Sequence, residues 1–383
     1  MTQMLRIALA IMLTASFNAA AQAQTIKIGV NQPLTGAFAA SGTYVVNGAK
    51  IAVDEINAKG GLLGRKLELV IEDNKSNPTE AAAVAEKLIT RDKAPILMGA
   101  WGSSLTLAVM PKLIEYETPM LVETSSSGKI TTSGNPYVFR ISPPSALEAA
   151  AFKGLVDKLR LKKVDFLVIN NDWGRGTAED FGKMMKEKGI TVGLVETMDQ
   201  GAQDMTAQIS KIKASDSETV IVTTAVDQLT LIFKQASNLG LKKRIITTGG
   251  SQNPDQIIAQ AGAAANGTMH LTTFLPWFPD RTPNATATNY FISEWKRRGF
   301  DFAGCTESFR GYDGIRTVAS AIEKAGKAEP AAIKAALWEI KVKGLNGDIV
   351  FRKSGPEGKE SGQSEPEVYL VEIQDGKVVM KTF

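Results

Sequence analysis

An α/β architecture of doubly wound parallel sheets, divided between two lobes, follows from three features of the chain. Short apolar runs alternate with helical stretches along nearly all of the 383 residues. The runs are unbroken rather than alternating, which is the pattern of strands covered on both faces of a parallel sheet. So many βα units would make one sheet too wide, and the rhythm breaks near the middle of the chain.

Strands are expected at Ile26–Val30, Leu67–Glu72, Ile96–Met98, Met120–Val122, Val164–Ile169, Val192–Glu196, Thr219–Val222, Ile245–Thr248 and Met269–Thr272. In the first intervening helix Ala49, Ala52, Val53 and Ile56 share one face, and Gly60-Gly61 stops it. Asn77-Pro78 opens the next with proline in its first turn. Ser103 or Ser104 is placed to cap the helix that runs towards Tyr116. The break between lobes falls at Phe139–Pro144, where one βα series ends and Ser145 opens another.

The second series runs to about Thr273, and the aromatic, proline-rich stretch Phe274–Pro283 interrupts it. Helical patterns follow at Ala285–Arg298, Ser308–Ala325 and Pro330–Ile340, with no βα series of their own, so they return to the first lobe. The tail alternates as strands do at Asp348–Arg352, Val368–Ile373 and Val378–Met380, and Asp375-Gly376 reads as a hairpin turn. The expected division is residues 25–142 with 274–346 in the first lobe and 143–273 with 347–383 in the second. Several crossings between two lobes make a hinge, and hinges close around ligands.

Residues 1–24 read as a cleavable secretion signal: Arg6, an apolar run from Ile7 to Phe17, then the small-x-small site Ala21-Gln22-Ala23. The apolar run is shorter than the ~20 residues a membrane span needs. A diffusible exported protein is expected. The single cysteine, Cys305, lies far from the cleavage site, so neither an intrachain disulfide nor a lipid anchor at that site is available. The formal charge is only +4, and Lys and Arg are scattered, which argues against a nucleic-acid partner.

Catalytic options are narrow. The only histidine, His270, sits in an expected strand, so a secreted hydrolase would have to use it as its base. HExxH and CxxC spacings are absent, as are GxGxxG and the P-loop, and neither a metal nor a cofactor is expected. What remains is a set of hydroxyl residues at strand ends. Trp101-Gly102-Ser103-Ser104 follows one strand and Thr124-Ser125-Ser126-Ser127 the next, so adjacent parallel strands bring both loops to one edge. Hydroxyls and free N–H groups at helix starts suit a carboxylate without Lys or Arg. Trp173 occupies the corresponding loop of the second lobe, facing Trp101 as if to sandwich a flat or apolar ligand, with Phe38 as a third wall.

IKIGVNQPLTG, GAKIAVDEINAKGGLLGRKLELVIEDN, the Ser103-Ser104 loop, FRISPPS and Tyr312-Asp313 together resemble the type I periplasmic solute-binding proteins of branched-chain amino acid ABC transporters. The likeness covers nearly the whole chain after the signal. It implies two Rossmann-like lobes joined by three hinge strands, a ligand in the cleft, a monomer, delivery to an inner-membrane ABC permease, and no catalysis. By that resemblance Ser103 and Thr124–Ser126 hold a carboxylate, and Trp173 closes over the ligand.

Two departures bear on the ligand. Where the family's amino-acid binders place an acid after the strand ending at Thr248, this chain has Gly249-Gly250-Ser251, and a common tyrosine falls on or near Ala225. An unpaired buried ammonium costs several kcal/mol. A carboxylic acid with an aromatic or other bulky body is therefore expected. An amino acid stays open because Glu307 or Asp227 would replace the missing acid, and a ligand-sensing subunit for a membrane receptor stays open because sequence does not separate sensing from transport.

Overall fold

The structure, a computed structural model, describes residues 25–249 and 253–381. The expected signal segment 1–24 and Gly250 lie outside the described residues. No helix among the described residues is long and apolar enough to cross a membrane.

The first lobe is built on β1 (Ile26–Gln32), β2 (Leu67–Asp73), β3 (Leu97–Gly99), β4 (Met120–Val122) and β5 (Val138–Arg140). The second repeats the plan with β6 (Lys163–Ile169), β7 (Thr191–Met198), β8 (Thr219–Thr223), β9 (Arg244–Thr247) and β10 (Met269–Thr272). Each set of five runs parallel, in the order β2-β1-β3-β4-β5 and β7-β6-β8-β9-β10. In that winding the order reverses between the first and third strands of each set, and ligand crevices form outside the carboxyl ends there.

The tail supplies β11 (Val342–Gly344) and β12 (Gly347–Ile349) as a separate hairpin, then β13 (Arg352–Ser354), β14 (Ser361–Gln363), β15 (Tyr369–Gln374) and β16 (Lys377–Met380). β14 pairs in parallel with β5, and β13 antiparallel with β14, so both extend the first sheet. β15 pairs antiparallel with β10 and β16 with β15, extending the second. This corrects the expected boundary at 346/347: residues 352–363 belong with the first lobe, because the free edge of β5 takes β14, and the chain crosses between Gln363 and Tyr369. Asp375 and Gly376 turn the last hairpin with φ 49° and 69°.

Helix Ala39–Ala58 buries Ala49, Ala52 and Val53, and helix Cys305–Ala325 lies across it. Glycine makes the crossing close. A Cβ on Gly48 would stand 1.8 Å from the Ser308 carbonyl oxygen, and one on Gly311 would stand 1.9 Å from that of Val45. The backbone contact brings the start of the late helix to the first turn of the early one, where Ser41 Oγ donates to Glu307 Oε1 at 2.8 Å.

Candidate functional site at the interlobe cleft

Loops from the carboxyl ends of β3, β4, β6 and β9 converge on a cavity of about 210 Å3 of empty space. Its walls are Trp101, Gly102, Ser103, Thr124, Ser125, Ser126, Trp173 and Gly249, and none of these side chains is ionisable. A second cavity of about 390 Å3 lies where the three interlobe crossings meet, with Ser142, Thr273 and Ser364 in its wall beside Glu123 and Arg310. It is the larger of the two, but the strand-end loops point to the first.

Helix Ser103–Glu115 begins behind Gly102, with no side chain capping its first turn. The expected caps act elsewhere. Ser103 Oγ accepts from the Ser127 N–H at 3.1 Å, which leaves its own proton to donate. Ser104 Oγ donates to Asp172 Oδ2 of the second lobe at 2.8 Å and accepts from the Asp172 N–H at 3.1 Å. The first-turn amides and the positive end of the helix dipole therefore lie beside the cavity-lining serine. Ser125 is occupied structurally, donating to the Trp101 carbonyl at 2.8 Å and meeting Thr106 Oγ1 at 2.7 Å. Thr124 Oγ1 donates to Glu123 Oε1 over 3.3 Å.

The second hydroxyl loop takes its shape from Arg140, which is fully buried. The guanidinium donates to the carbonyls of Ser125 at 3.1 Å and Ser127 at 2.7 Å, to Thr131 Oγ1 at 2.9 Å and to Gln363 Oε1 at 2.7 Å. Burial lowers it to about 9, so it stays charged at neutral pH. These bonds fix the backbone of the loop whose Thr124, Ser125 and Ser126 line the cavity. The one signal for this role in the sequence is a charge set inside the apolar run Val138–Ile141.

Trp101 and Trp173 meet edge to face, with ring centroids 5.8 Å apart and planes at 85°. An aromatic ring inserted between two stacked rings needs about 7 Å, so the expected sandwich is replaced by a corner in which the indoles touch each other. Trp173 stands in the first turn of helix Asp172–Glu187, whose N-cap Asn171 accepts from the N–H groups of Trp173 and Gly174. Gly249 is packed against it: a Cβ there would fall 2.5 Å from Trp173 Cζ2, and its φ of +92° already favours glycine. Phe38 lies behind Trp101, with centroids 4.6 Å apart, and does not line the cavity. Ala225 is the buried N-cap of helix Val226–Asn238, away from the cavity wall.

Glu307 is also behind Trp101, fully buried, with Oε2 accepting from the indole Nε1–H at 2.9 Å. Arg310 stands 3.7 Å from that carboxylate and is itself buried. Burial lowers the Arg310 guanidinium, while Glu307, Glu148 and Glu123 raise it. Burial raises Glu148 to about 7, although it accepts from the Gly249 N–H at 3.0 Å. Burial likewise raises Glu123, against a 2.7 Å hydrogen bond from Gln32 Nε2. Nothing in the local sequence marks Glu148 or Arg310 as buried.

His270 is buried between Thr247 Oγ1 and Thr268 Oγ1, each 2.8 Å from a ring nitrogen, and burial drives it down to about 3. It is a neutral strand residue with no carboxylate at either nitrogen. Cys305 is buried, which raises its thiol.

A family model described as periplasmic binding protein matches residues 25–377. The chain is 30% identical over 349 residues to the leucine-, isoleucine-, valine-, threonine- and alanine-binding protein of Pseudomonas aeruginosa, covering 91% of each. Among solved structures, it superposes with a TM-score of 0.80 and 27% identity on the branched-chain amino acid transporter substrate-binding protein LivJ of Streptococcus pneumoniae in complex with isoleucine, covering 93% of this chain and 98% of that one. A solute-binding protein of an ABC transporter from R. palustris in complex with 4-hydroxybenzoate gives 0.79 at 24% identity, covering 94% and 96%, a likeness of fold. With two α/β lobes of matching winding and a hydroxyl-lined cleft between them, the chain belongs to the type I periplasmic binding proteins of the branched-chain amino acid family.

Proposed function

We propose that this solute-binding protein captures a small organic acid with a bulky, aromatic body and delivers it to an ABC permease. The observation that carries this reading is the cavity wall. Its described residues offer hydroxyls, helix-start amides and two indoles, and no ionisable side chain. A carboxylate is stabilised there by N–H and O–H donors and the helix dipole. An ammonium would meet no acid on the wall and would be buried unpaired. The Gly249–Trp173 contact supports a ligand without an ammonium, because the indole fills the space that an acidic side chain at 249 would need.

The role is capture without catalysis, by a monomer exported to the periplasm through cleavage of its first 24 residues. Permease and ATPase genes beside its own gene would favour transport over a sensing role.

A second reading, an amino acid, is favoured by Glu148 and Glu307, which stand immediately behind Gly249 and Trp101. The similar protein of Pseudomonas aeruginosa, named for leucine, isoleucine and valine, supports it as well. Isothermal titration with benzoate, 4-hydroxybenzoate, leucine, isoleucine and valine separates the two. Binding of an aromatic acid with no heat from the amino acids is expected; tight leucine binding with none of either acid overturns the ligand assignment.

A further inference from the structure

Trp101 is held in an unusual conformation for a bulky residue, with φ 68°. Four contacts hold it there: the Ser125 hydroxyl on its carbonyl at 2.8 Å, Phe38 at 4.6 Å, Trp173 at 5.8 Å, and Glu307 on its indole nitrogen at 2.9 Å. The last of these has a second set of partners. Glu307 Oε1 accepts from Ser41 Oγ at 2.8 Å on the first lobe and from Asn253 Nδ2 at 2.9 Å on the second.

Asn253 is fully buried and left-handed, with φ 39°, and its Oδ1 accepts from the Thr306 hydroxyl, the residue before Glu307. One amide from the second lobe thus engages two consecutive residues of the first, at the helix start fixed by the Gly48–Gly311 crossing. Tyr44 OH, donating to Gln256 Oε1 at 3.3 Å, lies along the same seam.

We propose that Glu307 is a positioning residue that couples the aromatic wall to lobe closure: one carboxylate fixes the Trp101 indole and receives Asn253 when the second lobe docks. This rests on the reading of the cleft as a closing ligand site, but not on which ligand enters. When the lobes part, Asn253 leaves while Trp101, Ser41 and Arg310 remain around the carboxylate. The wall is therefore preformed in the open protein, and the Asn253 bond acts mainly on ligand escape. A hydrogen bond to a charged group of this kind changes a rate or equilibrium by about tenfold or more.

The test has a ligand-free arm and a kinetic arm. The five tryptophans give five indole N–H signals in a nitrogen-15 correlation spectrum, and Trp101→Phe identifies the one that matters. Glu307→Gln is expected to move the Trp101 indole signal upfield, because a neutral amide replaces the carboxylate acceptor. Asn253→Gly, which tolerates the left-handed backbone, is expected to leave it in place. In stopped-flow titrations with 4-hydroxybenzoate and leucine as probes, Asn253→Gly is expected to raise the dissociation rate of whichever binds by about tenfold, with association unchanged.

An unmoved indole signal in Glu307→Gln, or a wild-type dissociation rate in Asn253→Gly, overturns the proposal. Should Glu307→Gln fail to fold, Asn253→Gly decides through its rate. Should leucine bind in place of 4-hydroxybenzoate, the ligand assignment falls while both arms still decide this one.

Discussion

At the scale of single residues, the hydroxyls on the cavity wall are not equivalent, although they look alike in the sequence. Ser103, Ser125 and Ser126 all line the cavity, but Ser125 spends its hydroxyl on the Trp101 carbonyl, and Ser104, outside the wall, bridges to Asp172. Composition and strand-end position brought these residues together; which way each hydroxyl turns depends on partners far along the chain. The same holds for the two tryptophans, expected to face each other across a ligand and found in edge contact. Gly249 tests how tightly that corner is built. Gly249→Ala forces Trp173 to move and strains a φ of +92°, so titration should show ligand affinity falling by about tenfold to a hundredfold. In a double-mutant cycle, adding Trp173→Ala should cost much less than it does in the wild type, because both changes act on one contact. Additive losses would show that the contact does not shape the site.

Elements show where the sequence was sufficient and where it was not. The central strands were legible because unbroken apolar runs ending in turn residues have few other uses. β5 and β14 are three residues each; an arginine interrupts the short apolar run of the first, and the second, Ser-Gly-Gln, has no apolar side chain to mark it. That blind spot moved the expected last crossing from residues 364–368 to 346/347. Helix Ser145–Lys153, the first of the second lobe, carries Glu148 into the seam between lobes, facing Arg310 and the Gly249 amide.

Burial raises this carboxyl from about 4.5 to about 7, so between those values the folded protein holds a proton that the unfolded chain has lost. The stabilisation is present below the lower value and is lost as pH rises through the higher one, at a limiting slope of about 1.4 kcal/mol per pH unit. Glu148→Gln removes the titration. Between pH 5 and pH 8 the Tm of the wild type should fall relative to that of Glu148→Gln; parallel Tm curves would contradict the assignment. Asp313, also raised by burial, and His270, lowered by it, are present in both proteins and cancel in the comparison.

For the whole molecule, the proposed function requires two similarly wound lobes to close on a negatively charged group, held by neutral donors on the first lobe and covered by an indole from the second. The lobes are bridged by side chains at Ser104–Asp172, Asn253–Glu307 and Gln200 Nε2 to the Ser76 carbonyl at 3.0 Å. The two-lobe plan was readable from the alternation of strands and helices. The carboxylates beneath the cleft were not, because the partners around them, Trp101, Ser41 and Asn253 at Glu307 and Gln32 at Glu123, come from distant parts of the chain. The most direct measurement is a crystal structure of the protein with 4-hydroxybenzoate. The account predicts carboxylate oxygens within about 3 Å of the amides at the start of helix Ser103–Glu115 and of the Ser103 and Ser126 hydroxyls, with the ring against Trp173. A ligand carboxylate turned towards Arg310, with those hydroxyls facing away from it, would contradict the account.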